Sequence, residues 1–153
     1  MSAAERLAAL GLALPPVTAP VAAYVPAVRT GAYVYVSGQV PVADGKLVAT
    51  GKVGAEVTAE DAAAMARTCA LNAIAAAAEA AGGLDRIRRI VKVVGFVASA
   101  PGFGGQPQVI NGASGLLIEV FGEDGKHARS AIGVAELPLN VPVEVELIAE
   151  VRG

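Results

Sequence analysis

The chain has 153 residues, of which 54% are hydrophobic, 17% charged and 4% aromatic, and 12 basic against 14 acidic side chains leave a formal net charge of −2. That suits one domain with a core of Ala, Val, Leu and Ile, and it argues against a nucleic-acid surface, which needs a strong basic stripe. One His and one Cys exclude metal-site spacing and an intrachain disulfide, and a lone Cys69 fits a reducing compartment.

Ser2-Ala3-Ala4-Glu5 has the pattern of a capping box, opening a short helix to about Leu10 with Gly11 as its stop. Glu5 and Arg6 so near the start make a poor secretory signal. Pro15-Pro16 forces extended chain. Ala32 to Ser37 (Ala-Tyr-Val-Tyr-Val-Ser) is a strand by its β-branched and aromatic content. Gly38-Gln39-Val40-Pro41 ends it or continues as a bulged edge. Ala43-Asp44-Gly45-Lys46 is a hairpin turn returning into Leu47-Val48.

Thr58 caps the longest helix, Ala59 to Ala81, which Gly82-Gly83 closes. Met65, Cys69, Ala73, Ala76 and Ala80 recur at three- and four-residue spacing and mark its buried face. Arg67, Asn72 and Glu79 in this alanine-rich stretch are too costly in lipid for a spanning helix, so a cytoplasmic protein with no membrane partner is expected. Arg86-Ile87-Arg88-Arg89 and Lys92 read as the solvated start of a strand from Ile87 to Ala98. Pro101 to Pro107 is loop by composition. A second helix runs from about Gln108 to Phe121, although Gly112 and Gly115 each cost about 1 kcal/mol against Ala. Two apolar strands joined by a Pro-containing turn finish the chain. The order β-β-α-β-α-β-β predicts a single α+β domain over 1–153, a mixed β-sheet with two main helices packed on one face.

Arg129 stands in the first of those closing strands. A guanidinium is always charged and its donor fork matches a carboxylate, so Arg129 needs an anion. That anion is a substrate acid or a protein carboxylate, Glu144 or Glu146, on a neighbouring strand. Glu144 and Glu146 lie two apart, share one face of their strand and raise each other's pKa, which suits holding or activating water; a solvated face is the plainer alternative. Backbone N–H groups at Ser37-Gly38 could bind an anion. Asn111 sits early in the second helix, as a ligand contact or a cap, and Tyr24 lies in an extended loop. His127 and Arg129 can lie on one face, but no Ser-His-Asp arrangement follows from this spacing. Gly102-Phe103-Gly104-Gly105 lacks the spacing of a nucleotide loop. The abundance of small apolar residues favours burial between subunits.

Three blocks in this order, Tyr33 to Pro41, Ile90 to Val97, and Ala128-Arg129-Ser130 with Leu137-Pro138 and Val143-Glu144-Val145-Glu146, resemble the YjgF/RidA family of reactive-intermediate (enamine/imine) deaminases. The resemblance runs from about Pro20 to the C-terminus and leaves residues 1–20 as an N-terminal helix and extension of a longer, alanine-rich branch. It implies a chorismate-mutase-like fold and a homotrimer with a cleft at each subunit interface. It further implies hydrolysis of 2-imino acids to 2-keto acids and ammonia without cofactor or metal. In that pattern Arg129 matches the arginine that grips the substrate carboxylate, and Glu144 matches the acid that orients water. Tyr24, Ser37, Gly38 and Asn111 match pocket positions. Two departures stand out. Ala131 occupies a position where many deaminases carry Cys, and Ser114 stands where an aromatic often follows the asparagine. Keeping Arg129 with Glu144 favours an enzyme; these departures favour the alternative, a non-catalytic small-carboxylate-binding or chaperone-like trimer.

Overall fold

The computed structural model describes residues 1–18, 20 and 22–153. Its elements are α1 (Ala3–Ala9), β1 (Ala27–Thr30), β2 (Tyr33–Gln39), β3 (Val42–Ala43), β4 (Lys46–Leu47), α2 (Ala59–Ala81), β5 (Ile87–Ala98), α3 (Gln106–Phe121), β6 (Ala128–Val134) and β7 (Val143–Val151). The fold is α+β, as the strand and helix order predicts, and it is the chorismate-mutase-like fold that the resemblance implies.

Local chemistry places the helix ends. Ser2 and Glu5 make a reciprocal capping box on α1, and the Thr58 hydroxyl accepts from Asp61 N–H at the start of α2. α2 ends at Gly82, whose φ of 90° is a left-handed conformation that glycine adopts without strain. Burial of α2 is wider than the expected stripe. Ala62, Ala66, Ala70, Ala77 and Ala81 are buried alongside Met65, Cys69 and Ala73, because α3 packs against α2 as well as the sheet beneath. The two glycines of α3 differ in role: a Cβ at Gly112 would collide with the Ala63 carbonyl of α2, whereas Gly115 faces open space. Gly112 therefore weakens the helix locally and lets the two helix backbones approach. Gly95 does the same on β5, where a Cβ would strike the Ile110 side chain.

The five-stranded sheet has the order β1-β2-β7-β5-β6, and β3-β4 forms a separate small hairpin around Asp44-Gly45. Within this sheet β5 and β6 run parallel, and the other described pairs are antiparallel. Two expectations need correction. β1 is a strand absent from the sequence reading, a hairpin partner of β2 through Gly31 (φ 59°). The two closing strands are not neighbours, since β5 lies between β6 and β7.

The sheet has two unlike faces. Val34, Val36, Val93, Val97, Val143, Val145, Leu147 and Ala149 point into the core beneath the helices. The other face carries the exposed Val28, Tyr33, Tyr35 and Ile132, with half-buried Val94, Phe96 and Ile148. Strict period-two alternation on β7 produces this split.

Candidate functional site

The residues singled out from the sequence fall into two groups. The first surrounds Arg129. Its Nη1 donates to Asn111 Oδ1 at 2.8 Å and to Ser114 Oγ at 3.2 Å, and its Nη2 reaches the Pro107 carbonyl at 3.5 Å. Residues Pro107, Asn111 and Ser114 fall on successive turns of α3, which brings their acceptors to one side of that helix beside β6. Among the described residues Arg129 makes no ion pair. The pairing with Glu144 or Glu146 weighed from the sequence does not occur, because β5 separates their strands.

Ser114 is also bonded to His127, with Oγ and Nε2 2.9 Å apart, and His127 Nδ1 lies 2.6 Å from the Gly125 carbonyl oxygen. Sequence reasoning placed His127 and Arg129 on one face but did not find this pair. The signal was that two-residue offset, which brings both side chains to α3. Burial pushes the His127 pKa down, the Gly125 bond opposes that, and the Arg129 charge adds to the lowering.

The second group surrounds Glu144. Gly38 lies against it so closely that a Cβ there would meet Glu144 Cδ at 2.8 Å. Gly38 sits in the irregularity between Val36 and Gln39, where β2 loses register with β7. Ser37 Oγ donates to the Val25 carbonyl at 2.6 Å and fastens the segment that carries Tyr24, an exposed residue. Burial raises the Glu144 pKa, and the neighbouring Glu146 raises it further. Such a carboxyl keeps its proton to higher pH than usual and exchanges it more readily near neutrality.

The two groups occupy opposite faces of the sheet. Register pairs Arg129 with Val93, and Val93 with the buried Leu147, on the helix side. It pairs Glu144 with Phe96, and Phe96 with Ile132, on the uncovered side. One chain therefore cannot bring Arg129 and Glu144 to a common small molecule. A cavity of about 180 Å³ lies between Arg6, Asp85, Arg88 and Arg152, and an open one of about 450 Å³ lies beside Tyr33, Arg89, Lys126, His127 and Glu150, so it borders the Arg129 group through His127. Neither is lined by Arg129, Asn111 or Glu144.

Cys69 is a buried packing residue whose thiol pKa is pushed up mainly by burial. Among the described residues no group of His, Cys, Asp or Glu could hold a metal ion, and no helix is long and apolar enough to cross a membrane.

A family model described as "YjgF/chorismate mutase-like, putative endoribonuclease" matches residues 4–151. Protein TCP17 of Trypanosoma cruzi is 45% identical over 150 residues, spanning 97% of this chain and 94% of its own. A solved structure from Shewanella oneidensis, described as a "putative endoribonuclease", is 38% identical with a TM-score of 0.95 and covers 99% of this chain and 100% of its own. TdcF of E. coli, solved with bound serine, is 28% identical with a TM-score of 0.64, covering 88% of this chain and 92% of its own.

Proposed function

Because the chain belongs to the YjgF/chorismate mutase-like family, we propose that it is a 2-imino-acid/enamine deaminase, hydrolysing reactive imines to 2-keto acids and ammonia without a cofactor. The observation that carries this reading is the state of Arg129. Asn111, Ser114 and Pro107 hold its guanidinium, and no protein carboxylate neutralises it among the described residues. A cation fixed in place by neutral acceptors is prepared for an anionic ligand. Serine bound to TdcF is a small molecule with such a carboxylate.

In this reading Arg129 of one subunit grips the substrate acid. Glu144 of the adjacent subunit, beside Gly38, faces the imine carbon across the interface of a homotrimer. Tyr24, Ser37 and Asn111 shape the cleft. Water held by Glu144 attacks the C=N carbon, its oxygen bonds to that carbon, and the nitrogen takes protons and leaves as ammonia. The raised pKa of Glu144 suits it to pass a proton between water and nitrogen. Imine hydrolysis is intrinsically easy, so orientation and one proton carrier suffice. We place the protein in the cytoplasm on the strength of its single, buried Cys69. An RNA substrate, which the names of some relatives suggest, fits poorly with a net charge of −2 and so few aromatics.

The test is release of ammonia or keto acid from imines generated in situ by an L-amino-acid oxidase. Wild type should accelerate release. Arg129→Ala should lose about a hundredfold or more in kcat/KM with its fold intact, as expected when two charge-assisted hydrogen bonds are removed. Equal rates for the two would sink the carboxylate clamp. No acceleration with any amino acid would favour the second reading, a trimer that binds small carboxylates without turning them over. Ala131 and Ser114, where many deaminases carry Cys and an aromatic, speak for that reading.

A further inference from the structure

The bonds around Ser114 admit only one arrangement of protons at neutral pH. The Gly125 carbonyl can only accept, so His127 Nδ1 carries a hydrogen. The lowered pKa leaves the imidazole neutral, so Nε2 is a bare acceptor. Arg129 Nη1 can only donate to Ser114 Oγ. The hydroxyl proton of Ser114 therefore points at His127 Nε2, 2.9 Å away.

This is the wiring of an activated serine. A base within hydrogen-bond reach takes the hydroxyl proton, a third group orients that base, and a cation lies beside the oxygen that gives up the proton. Here the orienting group is a backbone carbonyl in place of a carboxylate. A simple tie between α3 and β6 would need neither a cation on the oxygen nor an imidazole held in one tautomer. Both side chains are only half-buried, so a ligand can reach them.

We propose that Ser114 is a nucleophile with His127 as its base, and that the pair performs acyl transfer on carboxylate-bearing esters or thioesters anchored by Arg129. Ser114 Oγ bonds to the acyl carbon as its proton passes to His127 Nε2. The tetrahedral adduct collapses, the ester C–O or thioester C–S bond breaks, and the leaving group departs with the proton from His127, which returns the imidazole to its neutral form. Water then attacks the acyl-serine and gives a proton to His127. The acid departs, and Oγ recovers its hydrogen. The inference shares the Arg129 anchor and its bond to Ser114 with the deaminase reading; ammonia release and acylation are scored separately, so either can fail alone.

The probe is the mono-para-nitrophenyl ester of glutaric acid, with the neutral para-nitrophenyl butyrate as control. Wild type should release a burst of nitrophenol and, after acid quench, carry one acyl group on the peptide containing Ser114. Ser114→Ala should show no burst. His127→Gln should acylate at least about a hundredfold more slowly, the usual contribution of a general base. Circular dichroism confirms that both variants fold. Absence of the adduct in wild type, an adduct on another residue, or an unchanged rate in His127→Gln overturns the proposal. Equal burst rates for the two esters would overturn the carboxylate-bearing substrate class.

Discussion

Glu144 is a carboxyl whose environment opposes its charge. It is half-buried beside Glu146, so its folded pKa stands above the ordinary carboxylate value. A raised folded pKa means tighter proton binding in the folded chain. Its stabilising contribution is present below about pH 4.5 and is lost as the pH rises through the folded value. Glu144→Gln should therefore hold or raise the melting temperature at pH 8 while lowering kcat on imines by about a hundredfold or more. Scanning calorimetry with the ammonia assay checks both halves, and a fall in stability at pH 8 would show that the charge is structurally required. At this scale the sequence was legible where chemistry is local. Arg129, Asn111 and Glu144 could be named because their residue types are unusual in apolar segments. Ser114 with His127 could not, because 13 residues separate them and the contact exists only once α3 lies on β6.

At the scale of elements, α2 and β5 were legible to the residue, since caps and apolar periodicity are carried by neighbours in sequence. β1 was hidden because four residues with one buried-side partner strand offer too short a pattern. The order of strands was hidden too: β5 inserts between β6 and β7 through pairings some fifty residues apart in sequence, which no local signal encodes. Gly112 illustrates the same limit in energetic terms. Read alone it is a helix weakener, whereas in the fold it is the contact point of α2 and α3. Gly112→Ala, a helix-favouring change by propensity, should instead destabilise by about 1–3 kcal/mol, the usual range for overpacking. Urea denaturation measures it, and a gain in stability would mean the helices separate freely. The neighbouring Gly115→Ala, facing open space, is the control and should be neutral or stabilising.

At the scale of the whole molecule, the uncovered sheet face joins Val28, Tyr33, Tyr35 and Ile132 into an apolar surface beside Phe96 and Glu144. Apolar surface of this kind on a small chain calls for a partner, and further copies of the chain are the partner our functional reading requires. Light scattering should find a trimer at micromolar concentration. Ile132→Asp on the edge strand should shift it toward monomer and abolish imine turnover with circular dichroism unchanged; a fully active monomer would break the reading. The placement of Arg129 and Glu144 on opposite faces has a genetic counterpart. Two dead proteins, Arg129→Ala and Glu144→Gln, should revive one another when their trimers are unfolded and reassembled together. If, as proposed, each cleft draws its arginine and its acid from different chains, about a quarter of the clefts in an equal random mixture inherit one intact copy of each. The smallest complete unit of activity would then be a pair of chains.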